Sequence, residues 1–458
     1  MYENITDDLI RFLKNSPTCY HAAANLRAAL LAGGYTELSE GSRWNLAPGG
    51  HYFTVRNESS LIAFRLPLPA VTGFMIGASH SDSPTFKVKT NPEMAVENTY
   101  IRLNVEKYGG MLMAPWLDRP LSVAGRLIVK DGDCFVTRLV NVDRDLLLIP
   151  NLAIHMDRDV NDGHKFNPQS DLLPLFGDQN AKGRFLEIIA AAAGVDRKDI
   201  AGDDLFLYSR TPAAVWGASG EFFSSARIDD LQCAYAGFRG FFDAGTDAEQ
   251  AAANAGEPES AADAAKPVSG SVPVYALFDN EEVGSGTKQG AASTFLRDVI
   301  ERIAERTGMA GEDLRIALAG SFMVSADNGH ALHPNCPEKA DPVNRPRMNG
   351  GVLIKYNANQ KYTTDSVSAA LMKDICARAG VPWQEFTNRS DLAGGSTLGN
   401  ISNTQVSLNT VDIGLAQLAM HSPYETAGTK DTAYLAKAMR VFYGLALTEE
   451  GPGKYRLK

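Results

Sequence analysis

Residues 274–286 read VYALFDNEEVGSG, and the reading of the fold turns on this stretch. Val274, Tyr275, Ala276, Leu277 and Phe278 form an apolar run rich in strand-favouring types, so the segment predicts a buried strand. Gly284, Ser285 and Gly286 supply turn chemistry just beyond it. Between strand and turn stand Asp279, Glu281 and Glu282. Carboxylates crowded at the mouth of a buried strand repel one another and cost desolvation unless a positive group holds them. A metal ion is the commonest such partner. One glutamate can then be a ligand while its neighbour takes a proton from water at the ion. A solvated acidic turn accounts for the same residues, so the stretch needs support from elsewhere in the chain.

Outward from it, strands and helices alternate. Helical spacing covers residues 5–13 and 20–31, followed by strands at 51–55 and 61–66. A short buried strand at 73–79 delivers His80-Ser81-Asp82 to its end. From about residue 91 to 220 the texture is β-rich, with strands at 121–129 and 134–140 around the Asp131-Gly132 turn and one helix at 184–193. Residues 231–242 read as helix, and 243–271, poor in bulky apolar types, as a flexible excursion. Then come helix 292–306, strand 314–319, helix 366–379, strands 383–387 and 405–413, and a closing helix at 431–445. This order predicts an α/β/α sandwich over residues 1–90 and 221–458, with a β-rich domain inserted at 91–220.

Composition narrows the function classes. A chain of 458 residues is too long for one ordinary core. Its net charge of −10, without a basic run, argues against a nucleic-acid surface. The start, MYENITDDLIRFL, carries acids where a secretion signal carries lysines, and no apolar stretch has membrane-spanning length. Five scattered cysteines without a CxxC pair suit free thiols and a cytoplasmic location, and leave His and carboxylates as the metal-binding types.

Four further stretches join such residues to glycine or serine near strand ends. In His80-Ser81-Asp82, residues two apart on a strand share a face, so Asp82 can orient the His80 ring. Asp229 in Arg227-Ile228-Asp229-Asp230-Leu231 suits either a helix N-cap or a ligand. Asp327 follows an apolar run, with His330 and His333 close by, and His421 follows another. Two histidines and several carboxylates without cysteine form a mixed N/O set suited to zinc, cobalt or manganese. A carboxylate bridging two ions, with one His and one carboxylate more on each, needs five ligands. His80, Asp229, Glu282, Asp327 and His421 supply them and leave Glu281 as base.

The blocks ASHSDSP, SSARIDDL, DNEEVGSG, SADNGHALHPN and QLAMHSPYET resemble, in order and over nearly the whole chain, the signature blocks of the M18 metallopeptidases, the aspartyl aminopeptidase family. The resemblance implies that Asp229 bridges two zinc ions, that His80 and Asp327 complete one site and Glu282 and His421 the other, and that Glu281 is the general base. It further implies removal of an acidic N-terminal residue from peptides. His330 would then lie at the scissile end, and Lys355 (VLIKYN) and Tyr362 (NQKY) would receive the substrate's acidic side chain. His155 (IPNLAIHMD) would reach into a partner subunit's site, within dimers assembled into a dodecamer. NRSDLAGGSTLG departs from the family pattern in its first half. Two alternatives stand beside this reading: a broader aminopeptidase or deacylase of the M42 or M20 type, and a non-catalytic assembly protein on a peptidase scaffold.

Overall fold

The computed structural model describes residues 4–68, 70–254 and 270–458, without the side chains of 246–254. Its centre is a nine-stranded sheet. The strand read from residues 274–278 runs Ser271–Phe278 and lies inside that sheet, antiparallel to Ser60–Arg65 and parallel to Gly73–His80. Beyond Gly73–His80 come Phe322–Ala326 and Asn409–Gly414, all parallel, then Val352–Tyr356 and Trp383–Thr387. His51–Arg56 and Thr36–Glu37 complete the other edge.

Successive side chains of a strand point to opposite faces. Tyr275 and Leu277 join one apolar cluster with helices Ile5–Asn15, Cys19–Ala32 and Asp431–Phe442. Val274, Ala276 and Phe278 join the other, beneath helix Phe295–Arg306. With both faces covered, the strands read as nearly continuous apolar runs, as parallel strands do. This is the α/β/α sandwich expected from the sequence.

A six-stranded antiparallel sheet is built from chain between Thr85 and Ser209, in the order Cys134–Asn141, Leu121–Asp131, Ile200–Ser209, Thr85–Val96, Tyr100–Tyr108, Leu175–Asp178. It has its own core, which includes Phe86, Trp116, Leu127 and Phe185.

Three local expectations are corrected. Residues 314–319, read as a strand, belong to helix Gly311–Ala319. LRIALA satisfies either period, and Asp313, which accepts from the Ala310 N–H, starts the helix while Gly320 ends it. The sheet strand there is Phe322–Ala326, three residues further on. Residues 405–408 lie outside the strand read at 405–413, which runs Asn409–Gly414. The helix read at 231–242 lies within Ile228–Asn254, whose Asp229 and Asp230 are non-helical, and runs on past 242, so the first part of the 243–271 excursion is helical. Residues 255–269 of that excursion lie outside the described residues.

Candidate metal centre

In an open parallel sheet, ligands gather at the carboxyl ends of the strands. Here that edge carries the acids. His80 ends Gly73–His80, and Asp279, Glu281 and Glu282 follow Ser271–Phe278. Asp327 follows Phe322–Ala326. Register holds them level, since Phe278 pairs with His80 and Ser325 with Ala78. Asp229 enters at the start of helix Ile228–Asn254, and His421 from the turn after Ala416–Leu418. Asn280 and His421 both take left-handed backbone, φ 62° and 68°, which turns the chain sharply at each strand exit.

The five expected ligands converge. The His80 ring Nε2 is 3.5 Å from Asp229 Oδ1 and 3.8 Å from Asp327 Oδ1. The His421 Nε2 is 3.4 Å from Asp229 Oδ2 and 3.3 Å from Glu282 Oε2. These separations are long for hydrogen bonds. They match the spacing of donors around one tetrahedral zinc, about 3.3 Å apart when each is about 2.0–2.1 Å from the ion. Asp229 belongs to both sets, one oxygen facing each histidine.

Two oxygens in this set, Asp229 Oδ1 and Glu282 Oε1, are buried without a hydrogen-bond partner among the described residues. A buried carboxylate oxygen left so is costly unless a cation holds it. Ligand-capable atoms of Glu281, His80 and Glu282 lie within 4.8 Å of one another, so Glu281 stands at the centre.

Surrounding acids set the electrostatics. Burial lowers proton affinity at His80, but Asp229, Asp327 and Asp82 overcome it and raise its pKa well above the ordinary value. Burial pushes Glu281 up to about 8, with Asp327, Asp82 and Asp229 adding to the rise. Desolvation would also raise Asp229, yet the two histidines hold it below the usual carboxylate range. A field that retains protons so strongly also attracts divalent cations.

A second tier of groups holds the ligands. The His80 Nδ1 donates to the Asp82 carbonyl oxygen at 3.0 Å, and an oxygen of that kind only accepts. Nδ1 therefore carries the proton and Nε2 presents its lone pair to the site. The Asp82 carboxylate accepts the main-chain N–H groups of Glu281 (3.1 Å) and Glu282 (3.2 Å) and the Tyr108 hydroxyl (2.7 Å). Sequence reasoning missed two others, Asp230 and Glu425, both fully buried. Asp230 stands beside a ligand in the Asp229-Asp230 doublet and Glu425 four residues after another; these placements were the available signal.

Of the expected substrate contacts, His330 lines a cavity of about 390 Å³ with Phe386, Arg389, Gln417 and Ala419. Gly394 and Gly395 of the departing NRSDLAGGSTLG segment line it too. Lys355 is only 2% exposed: its Nζ donates to the Asn328 carbonyl at 2.8 Å and lies 3.4 Å from Asp327 Oδ2. Tyr362, also buried, packs between Lys355 and Phe386. Neither lines the His330 cavity. His155 lies on an exposed segment with Leu152, Ile154 and Met156, away from the ligand set within this chain. A second cavity, about 360 Å³, is lined by residues from both large sheets and their loops, among them Asp82, Tyr108, Arg126 and Asp279.

Residues 12–443 match the model of the aminopeptidase I zinc metalloprotease family, M18. A protein of Clostridium acetobutylicum described as a probable M18 family aminopeptidase 2 is 45% identical over 445 residues, which cover 95% of this chain and 98% of that one. Among solved structures, the Ape4 and Nbr1 complex contains a chain with a TM-score of 0.89 and 35% identity, covering 96% of this chain and 86% of that one. A yeast mApe1 dodecamer gives a TM-score of 0.81 at 28% identity, covering 96% of this chain and 97% of that one. No helix among the described residues is long and apolar enough to cross a membrane.

Proposed function

The chain belongs to the M18 aminopeptidase family and is a metalloaminopeptidase; from that premise we propose that it releases acidic N-terminal residues, Asp and Glu, from peptides at a centre holding two divalent cations. His80, Asp229 and Asp327 hold one cation, and Asp229, Glu282 and His421 the other, zinc being the first choice and cobalt or manganese the alternatives. The observation that carries this reading is Asp229, whose two oxygens face two histidines at 3.5 and 3.4 Å.

Such cations supply a polarised scissile carbonyl, an acidified water and an anchor for the free α-amine. The protein's own groups do the rest. Glu281 takes the proton of the attacking water and passes it to the departing amine nitrogen. Asp82 fixes the turn that aims Glu281 and Glu282, through both of their main-chain N–H groups. His330 lines the cavity beside the ligand set and meets the scissile end. Lys355 supplies the positive charge, and Tyr362 the wall, for an acidic first side chain. Burial without solvent makes that charge count for more.

The inserted sheet would mediate dimerisation, and His155 would complete the pocket of a partner subunit. The exposed apolar side chains beside it, Leu152, Ile154 and Met156, favour that use. The assembly would be a dodecamer like that of mApe1.

The test is a panel of Asp-, Glu-, Leu- and Lys-initiated substrates with zinc-loaded protein, repeated for Lys355→Met. The wild type should prefer acidic N-termini, and the variant should lose about 10–100-fold of that preference. Equal losses for acidic and neutral substrates would remove Lys355 from charge recognition. A wild type that prefers Leu, or that cleaves acylated amino acids, would favour the broader aminopeptidase or the deacylase.

A further inference from the structure

Two buried carboxylates that the reaction itself does not use, Asp230 and Glu425, hold backbone at the centre, and an Asp230 oxygen also lies within 4.8 Å of ligand-capable atoms of His80, Asp229 and Asp327. Asp230 is completely buried, and its oxygens face two amides: Oδ2 accepts the His80 N–H at 3.2 Å and Oδ1 accepts the Asn328 N–H at 3.2 Å. Asn328 directly follows Asp327, so Asp230 grips the backbone at both residues that serve the first cation alone. Glu425, 2% exposed, ties the shared residue Asp229 to His421 at the other end. Its Oε2 accepts the Asp229 N–H at 3.0 Å and its Oε1 the His421 N–H at 2.7 Å.

Three of the four contacts span distant chain, 150 residues from Asp230 to His80, 98 to Asn328 and 196 from Glu425 to Asp229, while the fourth, from Glu425 to His421, closes a local turn. Without them the ligands would sit on strand exits and turns joined only through the rest of the sheet. A carboxylate suits the task because both its oxygens accept. An amide side chain accepts at one end and presents N–H groups at the other, so it must release one of the two backbones.

We propose that Asp230 and Glu425 are positioning residues, each dedicated to one cation position, so that either position can be emptied separately without changing a ligand. Asp230 serves the position of His80 and Asp327, and Glu425 that of Glu282 and His421. The inference rests on the two-cation reading. Asp229 is common to both positions, so Glu425 touches the first through one amide but the second through two ligands. The weight of its loss therefore falls on the second.

The experiment measures zinc per chain and its affinity by chelator competition. It locates the remaining ion by zinc anomalous diffraction from crystals grown at limiting zinc. The wild type should hold two ions; a wild type holding one overturns the two-cation reading and this assignment with it, whereas the variant outcomes below overturn the assignment alone. Asp230→Asn should weaken the ion between His80 and Asp327 by about 10–100-fold, and Glu425→Gln the ion between Glu282 and His421 by a like factor. In each variant the other ion should stay within about threefold of wild type. Glu425→Asp keeps the charge but reaches one amide at a time, and should reproduce the Gln result with less disturbance of folding. Both variants losing the same ion, losing both ions together, or keeping both at wild-type affinity would each overturn the assignment.

Discussion

At the carboxyl edge of the nine-stranded sheet, Asp82, Asp230 and Glu425 each accept two main-chain N–H groups from ligand-bearing segments. Around His155 the opposite holds: Leu152, Ile154 and Met156 are 56%, 48% and 74% exposed, and the His155 ring stands among them in the open. The first region brings all five proposed cation ligands together from within one chain. The second exposes apolar surface that water penalises and that a second copy would cover. On the proposed reading, everything needed to hold metal is therefore internal, and what closes over the peptide is borrowed.

The largest effect should come from the internal region. Glu281→Gln keeps the shape of the side chain and alters none of the five proposed ligands, so zinc content should stay at the wild-type level. Loss of the proton acceptor should lower kcat by about 10²–10⁴-fold. Metal analysis beside one turnover assay checks it, and a metal-replete variant turning over at the normal rate would remove Glu281 from the role of base.

The borrowed region should give the next effect. His155→Ala is expected to lower kcat/KM on the order of 10–100-fold by loosening substrate placement while metal content holds. Mixing it with Glu281→Gln sharpens the comparison. A mixed dimer has one pocket with an intact Glu281 that receives an intact His155 from its neighbour, so activity should rise above that of either variant alone. No gain on subunit exchange would place His155 outside the partner's pocket.

The sequence was more informative about one of these regions than about the relations within it. The run Val274 to Phe278 followed by acids, and the His80-Ser81-Asp82 triplet, were legible because strand period and ligand chemistry coincide over a few residues. Residues 314–319 were not, because a short apolar run fits both helix and strand and the deciding contact is a cap at Asp313. Asp230 read as a neighbour in a helix start, and Glu425 was not singled out. Their importance lies in hydrogen bonds to backbone on other segments, and a backbone N–H leaves no residue type to recognise. Lys355 was singled out for substrate contact, and its burial against Asp327 follows from sheet register that no local pattern encodes.

The smallest effect concerns stability outside the centre and separates folding from metal binding. His21, on helix Cys19–Ala32, has its Nδ1 2.9 Å from the Thr18 hydroxyl, and burial together with the nearby Arg227 lowers its pKa to about 4. Its unfolded value is about 6.5. Between these values the unfolded chain binds more protons than the folded one, so the folded state loses stability as pH falls from about 6.5 to 4 and is unaffected above. Partial exposure of the ring reduces the full linkage to an expected 1–3 kcal/mol, approximately, across that window. His21→Gln should be less stable than wild type at pH 7 through the altered Thr18 contact, yet lose less on acidification. Unfolding midpoints of zinc-loaded wild type and variant at matched pH values check this, since acid release of metal affects both alike. Parallel pH profiles for the two proteins would show that His21 titrates no differently in the folded state, and would leave the acid sensitivity to the carboxylate-rich edge of the sheet.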